Sequence, residues 1–120
     1  MYINYLGAGE SYMKQVLTIF EQIILAAIVI LKEDAFGISI RKKAQLLSGK
    51  TIMYGALYNV LDQLHRKGYV TKVKKKPNPS EGSHTRIYYS LTAIGNEALE
   101  TAYSLQKSIW ENLPEVSKKA

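Results

Sequence analysis

A chain of 120 residues, 47% of them hydrophobic and none of them cysteine, is long enough for one domain with a modest core. The missing thiols exclude disulfide staples, thiolate zinc sites and a cysteine nucleophile, and make the cytosol the expected location. The net charge of +6 is unevenly placed: eleven Lys/Arg stand against Asp62 and Glu81 between Arg41 and Arg86, while the rest of the chain is net negative, a segregation that points to a polyanionic partner.

Residues 1–15 show no clean period and read as a tail or a short extra helix. Gly7 and Gly9 lack the third glycine and the preceding strand of a dinucleotide fingerprint. The same stretch has neither an apolar core nor a small-residue cleavage pattern, so no secretory leader is expected. Residues 16–32 read as a helix with Leu17, Phe20, Ile23, Ile24, Ala27, Ile28 and Leu31 on its main stripe. Leu25, Ala26, Val29 and Ile30 fill much of the remaining circumference, so this helix must be covered on more than one side, and a partner subunit is the simplest cover. Its longest apolar run, nine residues from Ile23 to Leu31, is too short for a membrane span, which takes about twenty.

After a break at residues 33–37, a short helix is expected over residues 38–48, with Ile40, Ala44 and Leu47 inward and Gly49 closing it. Thr51 and Ile52 read as a short strand. A longer helix then begins near Met53, with Tyr54, Leu57, Val60, Leu61 and Leu64 as its inward stripe and Gly68 at its stop. Its opposite face carries Gly55, Tyr58, Asn59, Asp62, Gln63 and Arg66. A small residue, a large aromatic and two carboxamides form a surface suited to reading base edges.

The pattern next switches to period two. Lys72, Lys74 and Lys76 fall on one face of a first strand, residues 77–84 form a tip rich in turn residues, and Arg86 opens a return strand with Ile87, Tyr89 and Leu91 on one side. Thr92 is a good N-cap for a last helix reaching about Leu113 and ended by Pro114. Along that helix Ala98, Ala102, Leu105, Ile109 and Leu113 make a seam at roughly coiled-coil spacing. Together with Phe20, Ile24 and Ile28 of the first helix, it makes the case for a homodimer. The expected fold is mainly α with a small β-hairpin. A winged helix-turn-helix spans residues 16–91, a C-terminal dimerisation helix residues 92–114, and a short tail residues 115–120.

Asn59 and Gln63 are the candidates for base readout, because a carboxamide can bind adenine bidentately in the major groove. Arg41, Lys42, Lys43, Lys50, Arg66, Lys72, Lys74, Lys76 and Arg86 are the candidate backbone contacts, which position a protein without specifying sequence. A single run such as Lys74 to Lys76 is equally readable as a solvated face; three basic clusters flanking one reading helix favour DNA. His65 and His84 have no further ligand at metal spacing and read as surface residues. No cofactor and no metal is expected. Paired carboxylates, a nucleophile with its base and a phosphate loop are all missing from the sequence, which sets an enzyme aside. The competing class is a winged helix that serves as a protein-interaction module, distinguished by a lack of salt-dependent DNA binding.

Four pieces taken together, DAFGISIRK (34–42), GALYNVLDQLHRKGYV (55–70), YYSLTAIG (88–95) and a final helix containing Trp110, resemble the PadR family of bacterial transcriptional regulators. The resemblance covers roughly residues 17–113. It implies a winged helix-turn-helix, dimerised by the last helix packing on the partner's first helix. It further implies a cytoplasmic regulator of double-stranded DNA, usually a repressor released by a small ligand. By the same resemblance Tyr58 falls on the family's recognition-helix tyrosine, a DNA-facing role that stands beside the plainer one of a half-buried support. Tyr103 and Trp110 read either as dimer packing or as the holders of a planar aromatic effector. The chain departs from the family's pattern in three places. The usual Gly-Gly-Arg-rich wing reads GSHTRI (82–87), Met53 stands where a capping serine is common, and Leu46 and Leu47 are unusually apolar.

Overall fold

The computed structural model describes residues 16–76 and 84–115. In chain order it contains α1 (Ile19–Leu31), a 3-10 turn (Lys32–Asp34), α2 (Gly37–Ser48), α3 (Tyr54–Arg66), strands β1 (Val70–Lys75) and β2 (Arg86–Leu91), and α4 (Ala93–Glu111). Three helices, a hairpin and a further helix make the expected mainly α winged helix-turn-helix. The segment expected to be a tail or extra helix at residues 1–15, most of the hairpin tip and most of the C-terminal tail lie outside the described residues.

The first helix begins later than its apolar period suggests, because a cap decides the start. Thr18 Oγ1 accepts the Glu21 N–H at 3.1 Å, and Glu21 Oε1 accepts the Thr18 N–H at 2.9 Å. Ile24 and Ile28, expected at a subunit contact, are only 0% and 2% exposed inside the protomer's own core. α1 is the central element, packed by α2, α3, β2 and α4, so most of its all-round apolar surface is covered without a second subunit. Ile19, Val29 and Ile30 are what remains exposed.

α2 starts where Ser39 Oγ accepts the Phe36 N–H at 3.0 Å, and it ends in Gly49, whose φ of +68° is the left-handed conformation that a helix stop requires. Ile40 and Ala44 face the core as expected, whereas Leu47 is exposed. The strand expected at Thr51 and Ile52 does not form. Side chains of α2 take its hydrogen bonds instead: Gln45 Oε1 accepts the Ile52 N–H at 2.8 Å, and Arg41 Nε donates to the Ile52 carbonyl at 2.6 Å. The extra pairing on the hairpin comes from Phe36, which bridges Tyr88, while the Tyr89 N–H donates to the Ala35 carbonyl at 2.8 Å.

In α3 the buried stripe is Leu57, Val60, Leu61 and Leu64. Tyr54, expected among them, is 44% exposed, because at the first position of the helix its ring lies outside the core, stacked on Tyr58. The two strands pair antiparallel from Val70 with Leu91 to Lys75 with Arg86. Lys72 and Lys74 share a face as expected, but β1 ends at Lys75, so Lys76 lies beyond the ladder.

The last helix is joined to the end of α3 by a tight knot of backbone. Thr92 Oγ1 accepts the Gly95 N–H at 3.1 Å and donates to the Gly68 carbonyl at 2.6 Å, and the Thr92 N–H donates to the Tyr69 carbonyl at 3.0 Å. Gly95 is buried there. A Cβ at this position would lie 2.9 Å from the Tyr69 carbonyl carbon and 3.0 Å from its Cα. Further along, Ala102 enters the core and Gln106 Nε2 donates to Gln22 Oε1 at 2.9 Å, which fastens α4 to α1.

Candidate nucleic-acid interface

With one stripe of α3 in the core, geometry forces the other outward, and Gly55, Tyr58, Asn59, Asp62, Gln63 and Arg66 are all exposed. Asn59 and Gln63 lie one turn apart, and among the described residues neither side chain is engaged in a hydrogen bond. Their donors and acceptors are available to an incoming ligand. Tyr58 is different. Its ring stacks on Tyr54 with centroids 6.3 Å apart, and its hydroxyl end rests on Gly37 at the start of α2, where a Cβ would stand 2.8 Å from Tyr58 Cζ. The tyrosine therefore presents a ring edge while its hydroxyl points back into the protein. Beneath it, burial pushes the Tyr89 phenol above its ordinary pKa, with the nearby Tyr58 and Asp62 adding to the shift, so Tyr89 remains a neutral part of the floor.

The basic residues divide into those already engaged and those that project. Arg41 lies 4.3 Å over the Tyr54 ring and is tied to the Ile52 carbonyl, so it buttresses the start of α3. Arg86 lies 4.2 Å over the Phe36 ring. Arg66 Nη2 stands 3.7 Å from Asp62 Oδ2, and Lys72 Nζ stands 3.2 Å from Asp62 Oδ1. Lys42, Lys50, Lys74 and Lys76 are exposed, and Lys43 is half-buried. These cations come from α2, the α2–α3 turn and the wing, on elements that flank α3.

Three participants were not singled out from sequence. Lys75 projects from the opposite face of β1, 4.5 Å over the Tyr88 ring. Lys67 closes α3 with an ion pair to Glu21 at 2.7 Å, a contact between residues 46 positions apart that no local pattern announces. Asp62 did carry a signal: it is the only acidic residue between positions 35 and 80.

On the expected subunit face, Phe20, Ala98, Leu105 and Leu113 are half-buried, Ala102 is buried, and Ile109 is exposed. Tyr103 and Trp110 are exposed, and their spacing of seven puts them on one side of α4. A separate open cleft, lined by neither of them, runs between α4 and the segment leading into α1, with Val16, Leu17, Tyr69, Ala98 and Leu105 among its walls.

A helix with a projecting polar face, flanked by cations and followed by a short hairpin, is the architecture of a DNA reader. The sequence profile described as the transcriptional regulator PadR-like family matches residues 24–101, about two thirds of the chain. The chain belongs to the PadR-like family of transcriptional regulators. As a PadR-like protein it is a DNA-binding regulator and not an enzyme. Solved structures agree on the fold. A PadR family transcription regulator from Clostridium difficile is 23% identical, with a TM-score of 0.64 over 77% of this chain and 92% of its own. A PadR-like transcription factor from Bacteroides fragilis is 24% identical, with a TM-score of 0.63 over 94% of this chain and 99% of its own. A PadR-like transcriptional regulator from Bacillus cereus is 21% identical, with a TM-score of 0.63 over 76% and 84%. No curated protein matches the chain significantly. Among the described residues no PadR-like helix here is long and apolar enough to cross a membrane.

Proposed function

We propose that the protein binds a specific double-stranded DNA site as a homodimer in the cytoplasm, with α3 in the major groove, and that it acts as a repressor. One observation carries this reading: Asn59 and Gln63 project from α3 with their hydrogen-bonding groups unused, between cations from α2 on one side and the wing on the other. The carboxamides, with the edge of Tyr58, read bases. Lys42, Lys43, Lys50, Lys74 and Lys76 hold phosphates, with Arg41, Arg66, Lys72 and Arg86 behind them.

Reading and holding separate experimentally. Asn59→Ala or Gln63→Ala should weaken the preferred site by roughly 1–3 kcal/mol and barely alter affinity for random DNA. Replacing Lys72, Lys74 and Lys76 should weaken both alike and flatten the plot of log affinity against log salt by about one unit per lost phosphate contact. Equal loss on specific and random DNA from the carboxamide variants would remove α3 as the reading helix. An unchanged salt slope would return the wing lysines to the status of solvated residues.

Dimerisation rests on the apolar groups left uncovered in one protomer, Ile109, Tyr103 and Trp110 on α4 and Ile19 and Ile30 on α1. Light scattering at micromolar concentration should give the mass of two subunits, reduced to one by Ile109→Asp, with DNA binding lost because two half-sites need both wings. A one-subunit mass for the unaltered protein contradicts this. Release by a planar aromatic effector is the outermost part of the proposal. Tyr103 and Trp110 would hold it, and constant emission from Trp110, the only tryptophan, across a panel of such compounds would remove it.

A further inference from the structure

We propose that Asp62 determines sequence specificity by accepting a hydrogen bond from the N4 amino group of one cytosine in each half-site. The inference rests on the reading that α3 enters the major groove. Asp62 is the only acid between positions 35 and 80, a span that also holds ten Lys/Arg. Its side chain is 57% exposed on the same face of α3 as Asn59 and Gln63. A carboxylate there repels phosphates, so on purely electrostatic grounds it weakens binding to any DNA.

The structure shows how that repulsion is contained. Lys72 Nζ is 3.2 Å from one carboxylate oxygen and Arg66 Nη2 is 3.7 Å from the other. An ionised carboxylate has about four lone-pair sites, so two cations leave acceptor capacity directed outward. In the major groove only cytosine N4 and adenine N6 donate hydrogen bonds. Adenine places the N7 acceptor beside its amino group, which opposes a side chain that has no donor. Guanine presents two acceptors and is disfavoured more strongly. Cytosine presents its amino group alone, next to the O6 acceptor of the paired guanine. A carboxylate with a guanidinium beside it matches that pattern group for group: Asp62 takes the amino proton and Arg66 donates to the guanine, while Lys72, on the wing, only holds the carboxylate in place.

The plainer role for Asp62 is to tie β1 to α3 through Lys72, and the test separates the two. Duplexes enriched from a randomised pool by the full chain, by Asp62→Asn and by Lys72→Gln are sequenced, and the affinity of single-base variants is measured. The unaltered protein should enrich a site with cytosine at one position per half-site, replaceable only with a loss of about ten-fold or more. Asp62→Asn, whose carboxamide matches the N6 and N7 pair of adenine, should lose the cytosine and admit adenine there, with the other positions unchanged. Lys72→Gln should bind more weakly yet keep the cytosine. An identical motif from Asp62→Asn overturns the inference, as does loss of the cytosine from Lys72→Gln. If the unaltered protein enriches no motif, the DNA-reading proposal fails and takes this inference with it, an outcome distinct from the other two.

Discussion

Glu21→Ala is expected to lower folding stability by about 3 kcal/mol, roughly 10 °C in melting temperature. The carboxylate side chain is only 5% exposed, and it joins the start of α1 to the end of α3 through Lys67 at 2.7 Å while closing the Thr18 capping box. Breaking a fully buried ion pair costs about 3–5 kcal/mol, and a lost cap about 1. Lys67 is 43% exposed and regains water, which holds the sum near the lower figure. Burial pushes the Glu21 carboxyl up in pKa, but the hydrogen bond from Lys67, the Thr18 N–H, the Lys67 charge and the Thr18 hydroxyl together pull it below the ordinary 4.5. With the folded pKa depressed, the unfolded chain takes up the proton first. The stabilisation is therefore complete above the ordinary value and disappears as pH falls through the folded one. Thermal melts should show the gap between the unaltered protein and Glu21→Ala narrowing below about pH 4.5. A gap that stays constant into acid would show that the pair contributes nothing.

Gly95→Ala is expected to destabilise by about 2–3 kcal/mol, although it replaces glycine by the best helix former inside a helix. Propensity alone argues for a gain of about 1 kcal/mol. The new methyl, however, would meet the carbonyl carbon and Cα of Tyr69 at 2.9 and 3.0 Å, and main chain held by the Thr92 hydrogen bonds does not step aside as a flexible side-chain tip does. Gly55→Ala is the control. Gly55 lies within α3 with nothing near its absent Cβ, so there the propensity gain of about 0.5–1 kcal/mol should appear undiminished. Denaturant midpoints of opposite sign for the two variants are the expected result. A stabilised Gly95→Ala would mean that α4 is not joined to Tyr69 in this way.

The two glycines illustrate what was legible in the sequence. Gly95 belongs to the YYSLTAIG signature that suggested the family, yet its reason is tertiary, a backbone crossing supplied by residues 26 positions earlier. Helices and hairpin were legible because each has its own period and stop: Leu57, Val60, Leu61 and Leu64 in α3, Thr92 and Gly49 at helix ends. Tyr54 continues the inward period of α3 but stands at its first position, where no neighbouring turn encloses it. Phe36 was missed because its strand is a single bridge, too short to show alternation. Ile24 and Ile28 were correctly apolar and wrongly allotted to a partner, since no sequence pattern says which of several packing neighbours covers a helix that is apolar on most sides. At the candidate interface, exposure of Asn59 and Gln63 followed directly from the helical period. The engagement of Arg41 with Tyr54, and of Lys72 and Arg66 with Asp62, depends on distances between elements.

The central claim, that the exposed face of α3 reads a particular DNA sequence, is tested most directly by a ratio of affinities. Fragments enriched by the full chain from the genomic DNA of its own host are measured against random duplex of equal length at one fixed, near-physiological salt concentration. Specific regulators typically bind their sites about 10³-fold or more tighter than random DNA, and a ratio of that order is the predicted result. A ratio near one, with both affinities falling equally steeply as salt rises, would describe a basic surface that holds DNA without reading it and would contradict the account.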